Sequence, residues 1–228
     1  MIIRFKLFES IYKDDEDKLL SLCYYSSSRR NIENLLSDNP KININVRDNR
    51  GWTPLLIAVN NNNFYIARLL IKKGADPDIF SFPPPPGQFP WNNDTVLFKM
   101  IDNVVHNFEN EPSSMQSKFC DIILDELLKI ADLNKQTDNL KYTPLIKIAM
   151  NTGSRQSSTT KSVTHFGGTS SENGLKLLRK FIEAGADVTI KDKDNKDFLD
   201  YLDKSLVQIL SDEYPQVEEY VDSKKYNL

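Results

Sequence analysis

The sequence predicts an all-α chain, a solenoid of about five irregular helix-turn-helix units with long insertions. Three observations carry this. The segment "TPLLIAV" at Thr53 returns as "TPLIKIA" at Thr143, with a relative, "TVLFKMI", at Thr95. A second segment recurs as "LIKKGADPDI" from Leu70, "LLKIADLN" from Leu127 and "FIEAGADVTI" from Phe181, with the looser "LLSDNPKININV" from Leu35. The surplus length between copies lies in polar or proline-rich connections, where extra chain costs little. One helical pair cannot bury its own apolar face, so copies of it must stack.

The elements follow in order as one repeat domain over residues 1–228. Residues 1–47 form an N-terminal cap unit. Two short amphipathic helices lie in "DDEDKLLSLCYYSSSRRNIENLLSD", with Asp14, Asp15, Glu16 and Asp17 at the positive end of the first. Residues 48–79 are the clearest repeat. Thr53 caps a helix, Pro54 suits its first turn, and Leu55, Leu56 and Ala58 make its apolar face. Ile66, Leu69, Leu70 and Ile71 face the core from the second helix, which Gly74 ends in a left-handed conformation. Residues 80–136 form a repeat with a polyproline link, "PPPP" at 83–86, and a stretched connection, "NVVHNFENEPSSMQSK", between its helices. Residues 137–190 form another, carrying the Ser/Thr/Gly-rich insertion 152–173, which its composition predicts to be mobile. Residues 191–228 are a C-terminal cap unit, with Asp197 and "DFLDYL" in the Thr-Pro-Leu place.

Asp48, Gly51, Thr53-Pro54-Leu55, Ala58 and Gly74-Ala75-Asp76 together resemble the ankyrin repeat. Thr53, Thr95 and Thr143 are 42 and 48 residues apart, against a family period of about 33. Met100 and Ile148 stand where the family has alanine, and Lys141 where it has the glycine of the finger turn. The resemblance implies a non-catalytic protein–protein interaction module whose partner docks on the finger tips and the exposed side of the first helices. Carried over by position, the partner-binding residues are Asn49, Arg50, Trp52, Asn60 and Asn61. They continue with Trp91, Asn92 and Asp94, then Asn139, Leu140 and Tyr142, then Lys193, Asp194 and Lys196. Trp52 and Tyr142 either anchor a partner or pack against neighbouring fingers. The run "NNNN" at 60–63 also reads as a helix-ending turn. The prolines read as a stiff spacer, or as a ligand for an aromatic groove. Abundant Asn, Lys and Ile with irregular repeats resemble ankyrin proteins of bacteria or large DNA viruses. That implies a host-directed effector or host-range factor, with an inhibitor or immunity-type protein against a cognate toxin or enzyme as the alternative.

Little else in the sequence points to chemistry. A net charge of −3 gives no electrostatic reason for nucleic acid or anionic membrane as partner. His106 and His165 have no partner motif, and no cluster of Cys and His stands at zinc-ligand spacing. Nucleotide-binding glycine motifs and a Gly-x-Ser-x-Gly elbow are missing, and Gly167-Gly168 reads as linker. No catalytic residue, cofactor, metal or small-molecule substrate is expected. An enzyme would need a site built by the insertions from "NVVHNFENEP" and "VTHFGG". Cys23 and Cys120 read as buried thiols of a reducing compartment. Arg4 and Lys6 interrupt the apolar start, and no run is long enough for a bilayer. The expected location is cytoplasmic, with signal-independent export left open.

Overall fold

Thr53 caps its helix through Oγ1, which accepts from the Leu56 N–H at 3.2 Å, and Pro54 occupies the first turn. Thr143 caps in the same way from Ile146, also at 3.2 Å. In the computed structural model such signals order residues 15–25, 29–82, 94–110, 115–138, 140–152 and 171–226, which are the residues described. Among them are ten α-helices, one 3-10 helix and no strand.

The chain forms two compact units, one of residues 1–103 with 118–127, the other of 104–117 with 128–228. The first unit contains α1 (Asp15–Tyr25), α2 (Arg29–Asp38), α3 (Pro54–Asn60) and α4 (Phe64–Lys72). It also takes the start of α5 (Val96–Asn110) and most of α6 (Met115–Leu127). Helix α1 packs on α2, α3 on α4, α1 on α3 and α2 on α4, so two hairpins stack side by side. Leu19, Ile32, Leu55, Ile57, Ala58, Ile66 and Leu70 are fully buried between them.

The asparagine run is a turn in which each residue has a separate task. Asn60 ends α3, Asn61 is its C-cap, Asn62 takes the left-handed conformation at φ 55°, and Asn63 caps α4. The Asn63 N–H reaches the Ala58 carbonyl at 2.8 Å and the Asn62 N–H the Val59 carbonyl at 3.0 Å. That pair of bonds closes the last turn of α3. Gly74 does the same for α4 at φ 86°, with the Ala75 N–H on the Leu70 carbonyl.

Side-chain amides link successive first helices. Asn61 donates to the Cys23 carbonyl at 3.4 Å, and buried Asn103 to the Val59 carbonyl at 2.6 Å. Asn45 accepts from the Asp76 N–H at 2.9 Å, tying one connection to the next.

The second unit contains α7 (Pro144–Thr152), α8 (Ser171–Glu183), the 3-10 turn Phe198–Tyr201, α9 (Lys204–Glu213) and α10 (Pro215–Tyr226). Helix α7 packs on α8 and on the 3-10 turn, and α9 packs on α10, with Phe181 and Phe198 fully buried. Asp197 replaces the capping threonine. Fully buried, it accepts from the Leu199 N–H, Tyr220 Oη and Lys224 Nζ, so its charge is paired. The Asp197 position therefore keeps the N-cap but opens on one 3-10 turn in place of a first helix.

Two expectations need correction. The connection "NVVHNFENEPSSMQSK" is largely helical: α5 continues to Asn110 and α6 begins at Met115. Leu97, Ile101 and Val104 are buried at helical spacing, so the helix begun in the core runs on into the segment. The insertion expected at 152–173 is shorter, because Thr152 ends α7 and residues 171–173 begin α8. Its remainder, 153–170, and the polyproline link lie outside the described residues. Lys141 keeps the finger turn that its replacement of glycine endangered. It adopts φ 57°, and its N–H bonds the Thr137 carbonyl at 3.0 Å. Met100 and Ile148 are both buried in the alanine position.

Candidate functional site

The finger before α3 is built on one carboxylate. The Asp48 N–H bonds the Trp52 carbonyl at 3.0 Å and Gly51 turns the chain at φ 75°. Asp48 Oδ1 accepts from the backbone N–H groups of Arg50 and Trp52, each at 2.8 Å. Its second oxygen is taken by side chains. It accepts from Tyr24 of α1 at 2.5 Å and from Arg50 Nε at 3.3 Å. Arg50 donates in turn to the Tyr24 hydroxyl. The guanidinium carbon lies 4.0 Å from the Trp52 ring centre and 5.3 Å from that of Tyr24. An arginine fixed between aromatic rings therefore stands on an exposed tip, its side chain 53% accessible.

Electrostatics reinforce this arrangement. Burial, then the bond to Asp48, pushes the Tyr24 phenol well above its ordinary value. Burial works against the Arg50 charge, but Tyr24 and Asp48 outweigh it and raise its pKa. Both groups keep their protons at neutral pH.

Phe82 closes the other flank. Its N–H bonds the Arg50 carbonyl at 2.9 Å, and the Arg47 guanidinium sits 4.5 Å from its ring centre. Arg47 also donates to the carbonyls of Phe80 and, at 3.4 Å, Gly51. A Cβ on Gly51 would lie 2.4 Å from the Phe82 nitrogen, so glycine is required by contact as well as by φ.

The last finger of the second unit repeats the carboxylate lock. Asp192 Oδ1 accepts from the N–H groups of Asp194 at 2.8 Å and Lys196 at 3.0 Å, and Asn195 turns the chain at φ 61°. Tyr201 donates to its other oxygen. Here the tyrosine comes from the helical turn that follows the finger, whereas Tyr24 comes from the preceding repeat. Tyr142 bonds Tyr201, and burial and then Asp192 raise its phenol. The Lys193 N–H bonds the Leu140 carbonyl at 3.1 Å, while Gln136 bridges the carbonyls of Lys141 and Lys191.

The expected site residues thus fall into groups. Arg50 and Trp52 come together on one tip beside exposed Asn49. Asn60 bonds Asn61, whose own amide is spent on Cys23. Asp94 is half-buried and joins the chain ends across the polyproline link, its N–H on Ser81 Oγ and its carbonyl on the Ser81 N–H. Leu140 and Tyr142 are half-buried against the next finger, on which Lys193, Asp194 and Lys196 are exposed. Trp91, Asn92 and Asn139 lie outside the described residues. Tyr24, Arg47 and Phe82 escaped the sequence reading, since none belongs to a repeat motif.

Chemistry of other kinds has less to work with. Among the described residues no group of His, Cys, Asp and Glu is placed to hold a metal. Cys23 and Cys120 are buried, and burial pushes the Cys23 thiol up to about 12, far from a reactive thiolate. No described helix is long and apolar enough to cross a membrane. A family model for ankyrin repeats (3 copies) matches residues 6–81. No curated protein matches the chain.

Proposed function

The chain is an ankyrin-repeat protein, matched as such over residues 6–81, and from that premise we propose that it binds a protein partner through the Asp48–Trp52 finger. Ankyrin repeats are protein–protein interaction modules and generally non-catalytic scaffolds. The observation that carries the choice of finger is the Arg50–Trp52 stack, fixed by Asp48 and Tyr24. Tryptophan, tyrosine and arginine dominate interface energies. Holding them in place beforehand removes part of the ordering cost of association. The exposed finger Lys193–Lys196 is a second contact in this reading.

The biological role we favour is a host-directed effector or host-range factor acting in a reducing cytoplasm. Composition supports the role, and the buried thiols of Cys23 and Cys120 suit the compartment.

The test is parallel affinity capture from the native organism and its host, with the wild-type chain and Trp52→Ala as baits. A partner held by wild type should be depleted from Trp52→Ala, an anchor loss of about 2 kcal/mol or more. Lys72→Glu, at the far end of the repeat, should retain it. Equal retention by Trp52→Ala, with loss on Lys72→Glu, would move the partner off the finger.

A further inference from the structure

We infer that the partner meets this finger with an acidic protein segment, whose carboxylates are taken by Arg47 and Arg50. The inference rests on the finger being the docking surface. Both guanidinium groups flank the turn that Gly51 makes, and both are held by rings: Arg50 on Trp52 and Arg47 on Phe82. Stacking occupies a flat face of each guanidinium and does not use the N–H groups along its edge. That edge is a fork that matches a carboxylate with two parallel hydrogen bonds.

Donors remain for such a contact. Arg50 spends Nε on Asp48 and one Nη on Tyr24. Arg47 spends Nε and one Nη on the carbonyls of Gly51 and Phe80. Each guanidinium has five N–H groups, so each keeps donors on its Nη atoms. The charge does not balance within the finger. Asp48 pairs with Arg50, but Arg47 meets only carbonyl oxygens and a ring, with no carboxylate partner among the described residues. One pinned, surplus positive charge suits a monoanionic carboxylate better than a phosphate dianion. Phe82, 47% exposed beside it, offers an apolar surface for the stem of a Glu or Asp side chain.

Random peptides displayed on phage and selected on the wild-type chain test this directly. The recovered peptides should be enriched in Asp and Glu and bind more weakly as salt rises. Arg47→Ala and Arg50→Ala should each weaken them by about tenfold or more, the scale of losing charge-assisted bonds. Arg50→Lys should not restore binding, because an ammonium lacks the fork. The turn survives these changes, since Asp48 holds it through backbone N–H groups, and unchanged amide chemical shifts around the finger verify that. Peptides without acidic residues that still fail on Trp52→Ala would overturn the carboxylate inference and leave the finger as the binding site. Peptides indifferent to Arg47, Arg50 and Trp52, or no peptides at all, would overturn both readings.

Discussion

The Asn103 side-chain amide donates to the Val59 carbonyl across 2.6 Å in a buried setting. It joins the first helices of consecutive repeats at the end of α3, on a carbonyl that also accepts from the Asn62 N–H at 3.0 Å. Removing the amide deletes one buried hydrogen bond but leaves the carbonyl its second donor, so Asn103→Ala should cost about 0.5–1.5 kcal/mol. Asn61→Ala should cost less, because its bond to Cys23 is longer, at 3.4 Å, and Asn61 is exposed. Urea unfolding of both variants checks the order.

Gly51 and Gly74 both have positive φ, but only Gly51 is crowded. A Cβ there meets Phe82, whereas one on Gly74 meets nothing within 4 Å. Gly74→Ala should therefore carry only the left-handed penalty of about 1–2 kcal/mol. Gly51→Ala should lose more and displace Phe82 from Arg47. Thermal melts rank the two, and equal shifts would mean the Phe82 contact yields at no cost.

Ala58 is fully buried between stacked helices. Ala58→Leu should overpack the stack and lower stability by about 1–3 kcal/mol. Met100→Leu, which nearly conserves volume in the matching position, should stay under about 1.5 kcal/mol. An unchanged melting temperature for Ala58→Leu would put Ala58 outside the packed seam.

Acid should weaken the second unit through its caps. Burial alone would raise the Asp200 carboxyl, but Lys224 and the Asp197 N–H outweigh it and hold its pKa below the ordinary value. Asp203 is lowered by Ser205 and the Leu206 N–H. Folded values below unfolded ones mean stability that is present above the usual carboxylate pKa of about 3.9. It is lost as pH falls through the lowered folded values. Denaturant midpoints for the second unit should fall between neutral pH and about pH 3. Asp200→Asn should be less stable at neutral pH and lose less on acidification. An identical decline in that variant would remove Asp200 as a source.

How much of this was legible depended on whether a feature was local. Thr53, Pro54 and Gly74 act on their own helices within a few residues, so their types disclosed helix starts and stops. The asparagine at the eighth place after Thr53, Thr95 and Thr143 was visible too, as Asn61, Asn103 and Asn151. Its meaning was not, because the Asn61 and Asn103 amides reach back to an earlier repeat through carbonyls that have no sequence signature. The Arg50–Trp52 pairing was half legible. Both residues stood at finger positions, but the acidic lock and Tyr24 depend on how α1 packs. Phe82 was hidden for the same reason. Nothing in its neighbourhood reveals that it lies against Gly51, far away in the chain.

The origin of Tyr24 changes what the α1–α2 hairpin is for. Such a hairpin is easily treated as a cover, exchangeable for any soluble hairpin that packs on the same apolar face. In this chain the hairpin reaches over and holds the neighbouring finger by its arginine, so the proposed recognition surface is assembled from two repeats. Grafting a generic cap onto residues 48–82 would preserve the stack and lose the grip on Arg50. Any transplant of this finger to another scaffold has to carry the tyrosine of the preceding hairpin with it.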